Sequence, residues 1–364
     1  MKVAILGTRG IPNHHGGFEQ FAEYFSVYLA EEGYEVYVYN SSLHPYKEKI
    51  YKGVNIICCK DPENKIGTAG QFIYDLNCIL DSRKRNFDVI LQLGYTSSSI
   101  WHFLLPKKSV IVTNMDGLEW KRSKYSKKTQ KFLKFAEKLA ANYGGYLIAD
   151  SIGIQEYIKE EYKKHTKYIA YGAEIFSNPD PEIIKQFELV PYQYHLLIAR
   201  MEPENNIETI IKGIVENKSK KPLILVGNYK NTPFGKYLYE NYSNNSNIKF
   251  IGAVYDIEIL NNLRYFSDMY FHGHSVGGTN PSLLEAMASN CFIVAHNNIF
   301  NISILGNDAL YFSTSNDICK ILTIQTKSEN GGKINSNLEK VVGKYSWEII
   351  NKQYLDFILE CLRK

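Results

Sequence analysis

The chain has little of what marks a secreted, membrane-spanning or nucleic-acid-binding protein. Its 364 residues hold six cysteines, Cys58, Cys59, Cys78, Cys291, Cys319 and Cys361. None forms a C-x-x-C pair, and all but the last lie in or beside apolar stretches. This argues against a disulfide or zinc framework and fits reduced thiols in the cytoplasm. No apolar run approaches the length that spans a bilayer, and the strand-like run at 3–6 is too brief for the core of a signal peptide. The formal charge is only +4, so no bulk attraction to nucleic acid is implied. Chemical signatures are missing as well. The G-x-G-x-x-G fingerprint of a nicotinamide or flavin oxidoreductase is absent. So are an Asp-x-Asp pair that would hold a divalent cation and a well-matched pair of carboxylates for glycoside hydrolysis.

What remains is an ordinary globular composition, 45% hydrophobic and 22% charged, in a length that suits two domains of about 150–200 residues each. Apolar strand-like runs at 3–6, 35–39, 54–58, 88–92, 109–113 and 146–149 alternate with helical periodicity near 68–83, 126–142 and 152–165. A further strand is expected at 168–172. Pro179, Pro181 and Pro191 then mark a connection, after which runs at 195–199, 223–226, 248–251, 269–271, 292–295 and 310–312 repeat the alternation. Such alternation predicts α/β architecture, with two parallel sheets covered on both faces and ligands held at the carboxyl ends of the strands. The expected division is a first domain over 1–175, a linker over 176–194, a second domain over 195–344 and a terminal helix over 345–364. That helix opens at Ser346, and its Trp347, Ile350, Tyr354 and Phe357 share one face that must be buried.

The stretch His272-Gly-His-Ser-Val-Gly-Gly-Thr-Asn-Pro-Ser-Leu-Leu-Glu-Ala-Met-Ala288 reads as a strand end, a glycine loop and a helix start. Asn280 suits the N-cap and Pro281 the first helical position, so the first-turn N–H groups are expected to face the Gly277-Gly278-Thr279 loop and attract phosphate. Glu285 lies one turn on and leans back toward the same mouth, where a carboxylate accepts from paired hydroxyls such as those of a ribose. A buried amphipathic helix behind a plain turn is the alternative. Arg200 directly follows a strand and is a candidate countercharge for a diphosphate, against a surface salt bridge. Asp116 follows another strand, where its carboxylate suits a proton or a hydroxyl and an Asp-Gly turn is the competing role. His272 and His274 lack a third partner for a metal. Lys121, Arg122, Lys124, Lys127, Lys128, Lys131, Lys134 and Lys138, interleaved with Trp120, Tyr125, Phe132 and Phe135, suit either an anionic membrane surface or a solvated face. No recognition module accompanies them, which counts against nucleic acid.

Gly7-Thr-Arg-Gly-Ile-Pro12 with Gly16-Gly-Phe-Glu19, Met115-Asp-Gly-Leu-Glu-Trp-Lys-Arg122, Ala199-Arg-Met-Glu-Pro-Glu-Asn-Asn206 and the Pro281–Ala288 helix resemble family 4 glycosyltransferases of the GT-B fold. More narrowly they resemble the bacterial rhamnosyltransferases that build capsular and cell-wall polysaccharide. The resemblance covers nearly the whole chain. It implies two doubly wound domains facing a central cleft, with the terminal helix returning to the first. It implies a nucleoside-diphosphate sugar, L-rhamnose by choice, as donor, and transfer with retention to a lipid-linked glycan or polyprenyl acceptor. With no Asp-x-Asp pair, and Arg200 and a helix N-terminus available for the diphosphate, no metal or other cofactor is expected. Arg200 would hold the diphosphate, Glu285 the ribose, amides around Gly278, Thr279 and Asn280 the phosphate, and Gly16 and Gly17 would close over the donor. Val254 would lie by the base, and Asp116 near the transferred sugar. Gly277 stands where the wider family has Glu and Asn205 where it has Lys, so the donor contacts of those two positions are expected to differ. The implied location is cytoplasmic, with residues 121–138 available for peripheral contact at the inner face of the membrane. A GT-B sugar-nucleotide epimerase and a non-catalytic glycan-binding protein are the alternatives.

Overall fold

Strands with both faces buried read as continuous apolar runs, and crossover helices can join such strands only in parallel. The computed structural model describes residues 1–14, 16–115, 117–122 and 125–364 and shows two sheets built this way. The first contains β1 (Lys2–Leu6), β2 (Glu35–Ser41), β3 (Ile50–Tyr51), β4 (Val54–Cys59), β5 (Val89–Leu93), β6 (Val110–Asn114), β7 (Tyr146–Ala149) and β8 (Lys167–Tyr168). Their order is β3-β4-β2-β1-β5-β6-β7-β8, parallel except for the β3–β4 hairpin at the edge. The second contains β9 (His195–Ile198), β10 (Leu223–Val226), β11 (Ile248–Gly252), β12 (Tyr270–His272), β13 (Ile293–His296) and β14 (Leu310–Phe312). It runs β11-β10-β9-β12-β13-β14, parallel throughout.

In each sheet the first strand is central and the order reverses beside it. β1 lies between β2 and β5, and β9 between β10 and β12. Val3, Ala4 and Ile5 are fully buried, as are Leu223, Ile224 and Leu225. The strand ends beside these reversals are where open α/β sheets leave a crevice for ligands.

The chain divides into two units. One comprises Met1–Lys121, Tyr125–Tyr171 and Trp347–Lys364, and the other Arg122 with Gly172–Ser346. The terminal helix Trp347–Leu362 belongs to the first unit through its aromatic face. Trp347 stacks on Tyr24 with centroids 4.4 Å apart, Tyr354 meets Phe21 at 4.4 Å, and the Tyr354 hydroxyl accepts from Asn114 Nδ2 at 2.8 Å. Each such aromatic pair contributes about 0.5–1.5 kcal/mol beyond its buried area.

The stretch over 176–194 does not run as a bare connection. Asp180 caps a short helix, Pro181–Lys185, and its own N–H donates to Asn262 Oδ1 at 2.7 Å. Tyr194 is fully buried, with its hydroxyl on the Leu263 carbonyl at 2.7 Å. Pro181 starts a helix, the role proline plays at a first helical position, so the proline content misleads about folding here. The strand expected over 168–172 is limited to β8, at the edge of the sheet.

Candidate active site

The second unit sets two loops side by side at its strand-order reversal. β9 and β12 are neighbours, with Leu197 opposite Phe271, so the loop carrying Arg200 adjoins the loop over 273–280. Polar groups zip the two together. Asn206, held at φ 50°, donates from Nδ2 to the Gly273 carbonyl at 2.7 Å, and Ser275 donates from its N–H and its hydroxyl to the Glu204 carbonyl at 3.1 and 2.7 Å. The approach is so close that a Cβ on Gly273 would lie 2.0 Å from the Asn205 carbonyl oxygen. Only glycine fits there.

Arg200 extends an exposed side chain from a fixed turn, since its carbonyl accepts from Asn205 Nδ2 at 2.7 Å and from the Glu202 N–H at 2.8 Å. Asn205 is itself buried, and the role this geometry gives it is to hold the Arg200 turn. Behind Arg200 the rings of His272 and His274 stack 4.5 Å apart. The His274 carbonyl is held by Asn298 Nδ2 at 3.0 Å and Asn301 Nδ2 at 3.1 Å. Burial first, then the charges of Arg200 and Arg122, push His274 down to about 3, so its imidazole is neutral near pH 7. Burial likewise drives His272 well below its ordinary value. Both ring nitrogens of His272 and Nδ1 of His274 lack a hydrogen-bond partner among the described residues.

In sequence Arg122 is one cation of a basic run and the last residue of the Met115-to-Arg122 motif, with no site role assigned to it. In the structure it belongs to the second unit, its guanidinium 4.0 Å from the Glu204 carboxylate and close enough to act on His274. Two guanidinium groups therefore bear on one neutral imidazole, an arrangement that favours an anion. Its position at the end of the Met115-to-Arg122 motif was the available signal.

The helix start differs from expectation in one respect. Asn280 does cap Pro281–Ala288, but its Oδ1 takes the Ser282 N–H at 2.9 Å and its carbonyl takes the Leu283 N–H at 3.0 Å. The first-turn donors expected to face phosphate are thus already used. The N–H groups of Gly277, Gly278 and Asn280 have no partner among the described residues and are the donors left at the loop, with Thr279 buried between them. Gly277, at φ 129°, sits in a conformation that a side chain rarely adopts, so the loop is shaped for glycine where the wider family has Glu.

Glu285 is held from behind. Arg264, 1% exposed, donates from Nη2 to Glu285 Oε2 at 2.5 Å and to Ser282 Oγ at 3.2 Å, and from Nη1 to Asn261 Oδ1 at 2.9 Å. Glu285 Oε1 has no hydrogen-bond partner among the described residues, which leaves it available to a ligand. Val254 is half-buried on the loop after β11, at the far edge of the sheet from this pair.

In the first unit a cavity of about 180 Å³ opens at the β1–β5 reversal, lined by Gly7, Arg9, Glu19, Asp75 and Ser97 among others. Arg9 is paired with Glu63 and with Asp61 at 3.3 Å, and its N–H donates to Glu19 Oε1 at 2.8 Å. Burial pushes the Asp75 carboxyl up to about 6, although the Ser97 hydroxyl donates to it at 2.5 Å. Gly16 precedes the helix Gly17–Glu31 and donates its N–H to Asn13 Oδ1 at 3.2 Å, while the Gly17 carbonyl accepts from the Tyr171 hydroxyl. Asp116, the candidate beside the transferred sugar, lies outside the described residues.

Residues 1–174 match a family model described as a domain of unknown function, DUF1972, and residues 180–318 match glycosyl transferases group 1. A comparison with curated proteins finds no match. In three dimensions the chain is similar to sucrose-phosphate synthase from Thermosynechococcus elongatus, at 15% identity and TM-score 0.80 over 99% of this chain and 98% of that one. It is similar to HepE of Anabaena in complex with UDP and glucose, at 16% identity and TM-score 0.77 over 99% and 100%. It is also similar to an E. coli trehalose-6-phosphate protein bound with UDP-2-fluoro glucose, at 11% identity and TM-score 0.70 over 98% of each. At such identities the likeness defines a fold, and that fold is two-domain GT-B. The Arg200 turn, the glycine loop and Glu285 all lie within residues 180–318, the stretch that matches the group 1 model.

Proposed function

We propose that the protein transfers a sugar from a nucleoside diphosphate to a growing glycan. The observation that carries this reading is that Arg200 and Arg122 both bear on His274, whose loop continues into the 277–280 turn, where the Gly277, Gly278 and Asn280 amides have no partner among the described residues. When a nucleoside diphosphate departs, negative charge develops on its phosphates. Fixed guanidinium groups and oriented N–H dipoles stabilise that charge without having to reorganise. Glu285 Oε1, with its partner oxygen locked by Arg264, is set to accept from ribose hydroxyls. The neutral imidazole of His274 presents a hydrogen bond to the donor without adding a charge that titrates near pH 7.

In the reaction the acceptor hydroxyl oxygen bonds to the anomeric carbon, on the face from which the diphosphate departs, as the bond from that carbon to the diphosphate oxygen breaks. The hydroxyl proton is lost to a base, for which Asp116 is the candidate, and the nucleoside diphosphate leaves. Similar structures contain UDP, glucose or UDP-2-fluoro glucose, which supports a nucleoside-diphosphate sugar as the donor class. L-rhamnose as the sugar, retention of configuration and a lipid-linked polysaccharide acceptor rest on the motif resemblance. The protein cations take the part a divalent metal would otherwise play.

The test is a thermal-shift panel of UDP-, dTDP- and GDP-sugars, followed by turnover with glycan acceptors in buffer with and without EDTA. Turnover that survives EDTA and falls about tenfold or more at low donor concentration in Arg200→Ala and in Glu285→Ala is expected. Donor conversion without any acceptor would instead indicate an epimerase. Gly277 in place of the family Glu favours one other reading, a non-catalytic binder, and donor binding with no turnover in any acceptor screen would establish it.

A further inference from the structure

The proposed chemistry leaves the basic helix Lys127–Tyr143 of the first unit unused. Its inward face is firmly anchored. Leu133, Ala136, Ala140 and Ala141 are buried, and the buried carboxylate of Glu137 accepts from the hydroxyls of Tyr157 and Tyr162 at 2.6 Å each. At 100° per residue the opposite face is formed by Lys127, Lys131, Phe135 and Lys138, flanked by Lys128 and Phe132, and all six are exposed. Phe135 is 53% exposed in the middle of this basic stripe. The 3-10 turn Ser99–Leu104 adjoins it, because His102 stacks on Tyr143 at 4.3 Å, and Phe103 beside it is 63% exposed.

Single exposed apolar side chains are ordinary on a soluble protein, but phenyl rings set within a field of one charge are not. Lys127, Lys128, Lys131 and Lys138 form no ion pair among the described residues, whereas Lys134, on the flank, pairs with Glu161 at 3.1 Å. Lysines three and four apart repel one another along a helix, and no carboxylate on this face offsets the repulsion. The face is thus unfavourable in water on two counts, and a surface that is both anionic and apolar just below its charges removes both. A duplex nucleic acid or an acidic protein tail would engage the lysines and leave the phenyl rings in water, and no single-strand recognition module accompanies the helix.

We propose that this face docks on an anionic lipid bilayer, with Phe132 and Phe135 entering the headgroup–acyl boundary and the lysines on lipid phosphates. No helix among the described residues is long and apolar enough to cross a membrane, so the contact is lateral. The inference does not rest on the proposed sugar transfer, since lipid partition is measured without any sugar.

The test is co-sedimentation of the full chain with phosphatidylcholine vesicles, alone or with about 30% phosphatidylglycerol. Binding is expected only to the anionic vesicles, weakening as salt is raised. K127Q/K128Q/K131Q/K138Q should lower the partition coefficient about a hundredfold or more. F132S/F135S should lower it about tenfold while keeping the salt dependence. Phe135→Trp, which alters no charge, should emit at shorter wavelength on anionic vesicles, and this readout stands even if a multiple variant folds poorly. No vesicle binding, equal binding to neutral and anionic vesicles, or unchanged emission from the tryptophan variant would overturn the proposal. So would a serine variant that binds vesicles as tightly as the parent, since the lysines alone would then explain the attraction.

Discussion

The tie between Arg264 and Glu285 separates what holds the second unit together from what binds its ligand. Arg264 is 1% exposed and the Glu285 side chain 18%, so removing the carboxylate strands a buried guanidinium on Ser282 Oγ and Asn261 Oδ1 alone. Breaking a buried pair in this way costs about 3–5 kcal/mol, and the partial exposure of Glu285 places Glu285→Ala near 3 kcal/mol. At roughly 2–4 °C per kcal/mol for a unit of this size, its melting point should fall by about 6–12 °C. Glu285→Gln keeps an acceptor for Arg264 and should cost only about 1–2 kcal/mol. Both changes remove the charged acceptor proposed for the ribose, a loss of about 1.5–3 kcal/mol, or roughly ten- to a hundredfold in donor affinity. The informative variant is Arg264→Met combined with Glu285→Leu. Replacing both members of a buried pair with apolar groups is nearly neutral, so stability should return toward the parent while donor affinity stays low. Scanning calorimetry and isothermal titration with UDP and dTDP measure the two quantities separately. A double variant that binds nucleotide like the parent would refute the ligand role of Glu285, and a Glu285→Ala protein that melts like the parent would refute the pairing.

Two further outcomes follow from the same geometry. Arg122→Ala should weaken UDP binding by about tenfold or more while leaving uridine binding unchanged, because its guanidinium is assigned to the diphosphate; titration with both ligands checks this, and equal losses for the two would mark Arg122 as merely structural. Asp75 is held at about 6 in the folded chain, above the ordinary carboxylate value near 3.9, so the native state binds that proton more tightly than the unfolded chain and stability falls as pH rises between those values. Asp75→Asn should therefore melt higher than the parent at pH 8, by at most about 3 kcal/mol, with the advantage vanishing below about pH 4; melts that differ equally at both pH values would contradict this.

Much of the sheet architecture was legible because parallel strands covered on both faces must be apolar throughout. β7, β10 and β14 begin and end where their apolar runs do. The β3–β4 hairpin was not, since Ile50–Tyr51 is too short to show alternation and is defined only by pairing with Asn55 and Val54. Arg264 was missed for a different reason. In sequence it looks like any arginine near the end of a surface helix, and what buries it is a carboxylate 21 residues away. In sequence Arg122 is one cation in a basic run and the last residue of the Met115-to-Arg122 motif, and neither shows its pairing with Glu204, far along the chain. Contacts of this range leave no periodic trace, so composition and spacing cannot single out the residue that makes them.

The helix start at Pro281 shows a subtler limit. Asn280 was recognisable as an N-cap because its side chain can accept a first-turn N–H, and the same hydrogen bond withdraws that N–H from any ligand. A cap strong enough to read from sequence therefore weakens the inference that the helix mouth itself grips phosphate. The burden passes one step upstream, to amides that no regular element satisfies, and such a loop must turn its N–H groups outward without side chains in the way. Gly277 at φ 129° meets that condition, and a Glu there would have to abandon the conformation that presents them. On the proposed reading, the glycine that breaks the family pattern would be part of the anion site, with Arg200 and Arg122 supplying its positive charge.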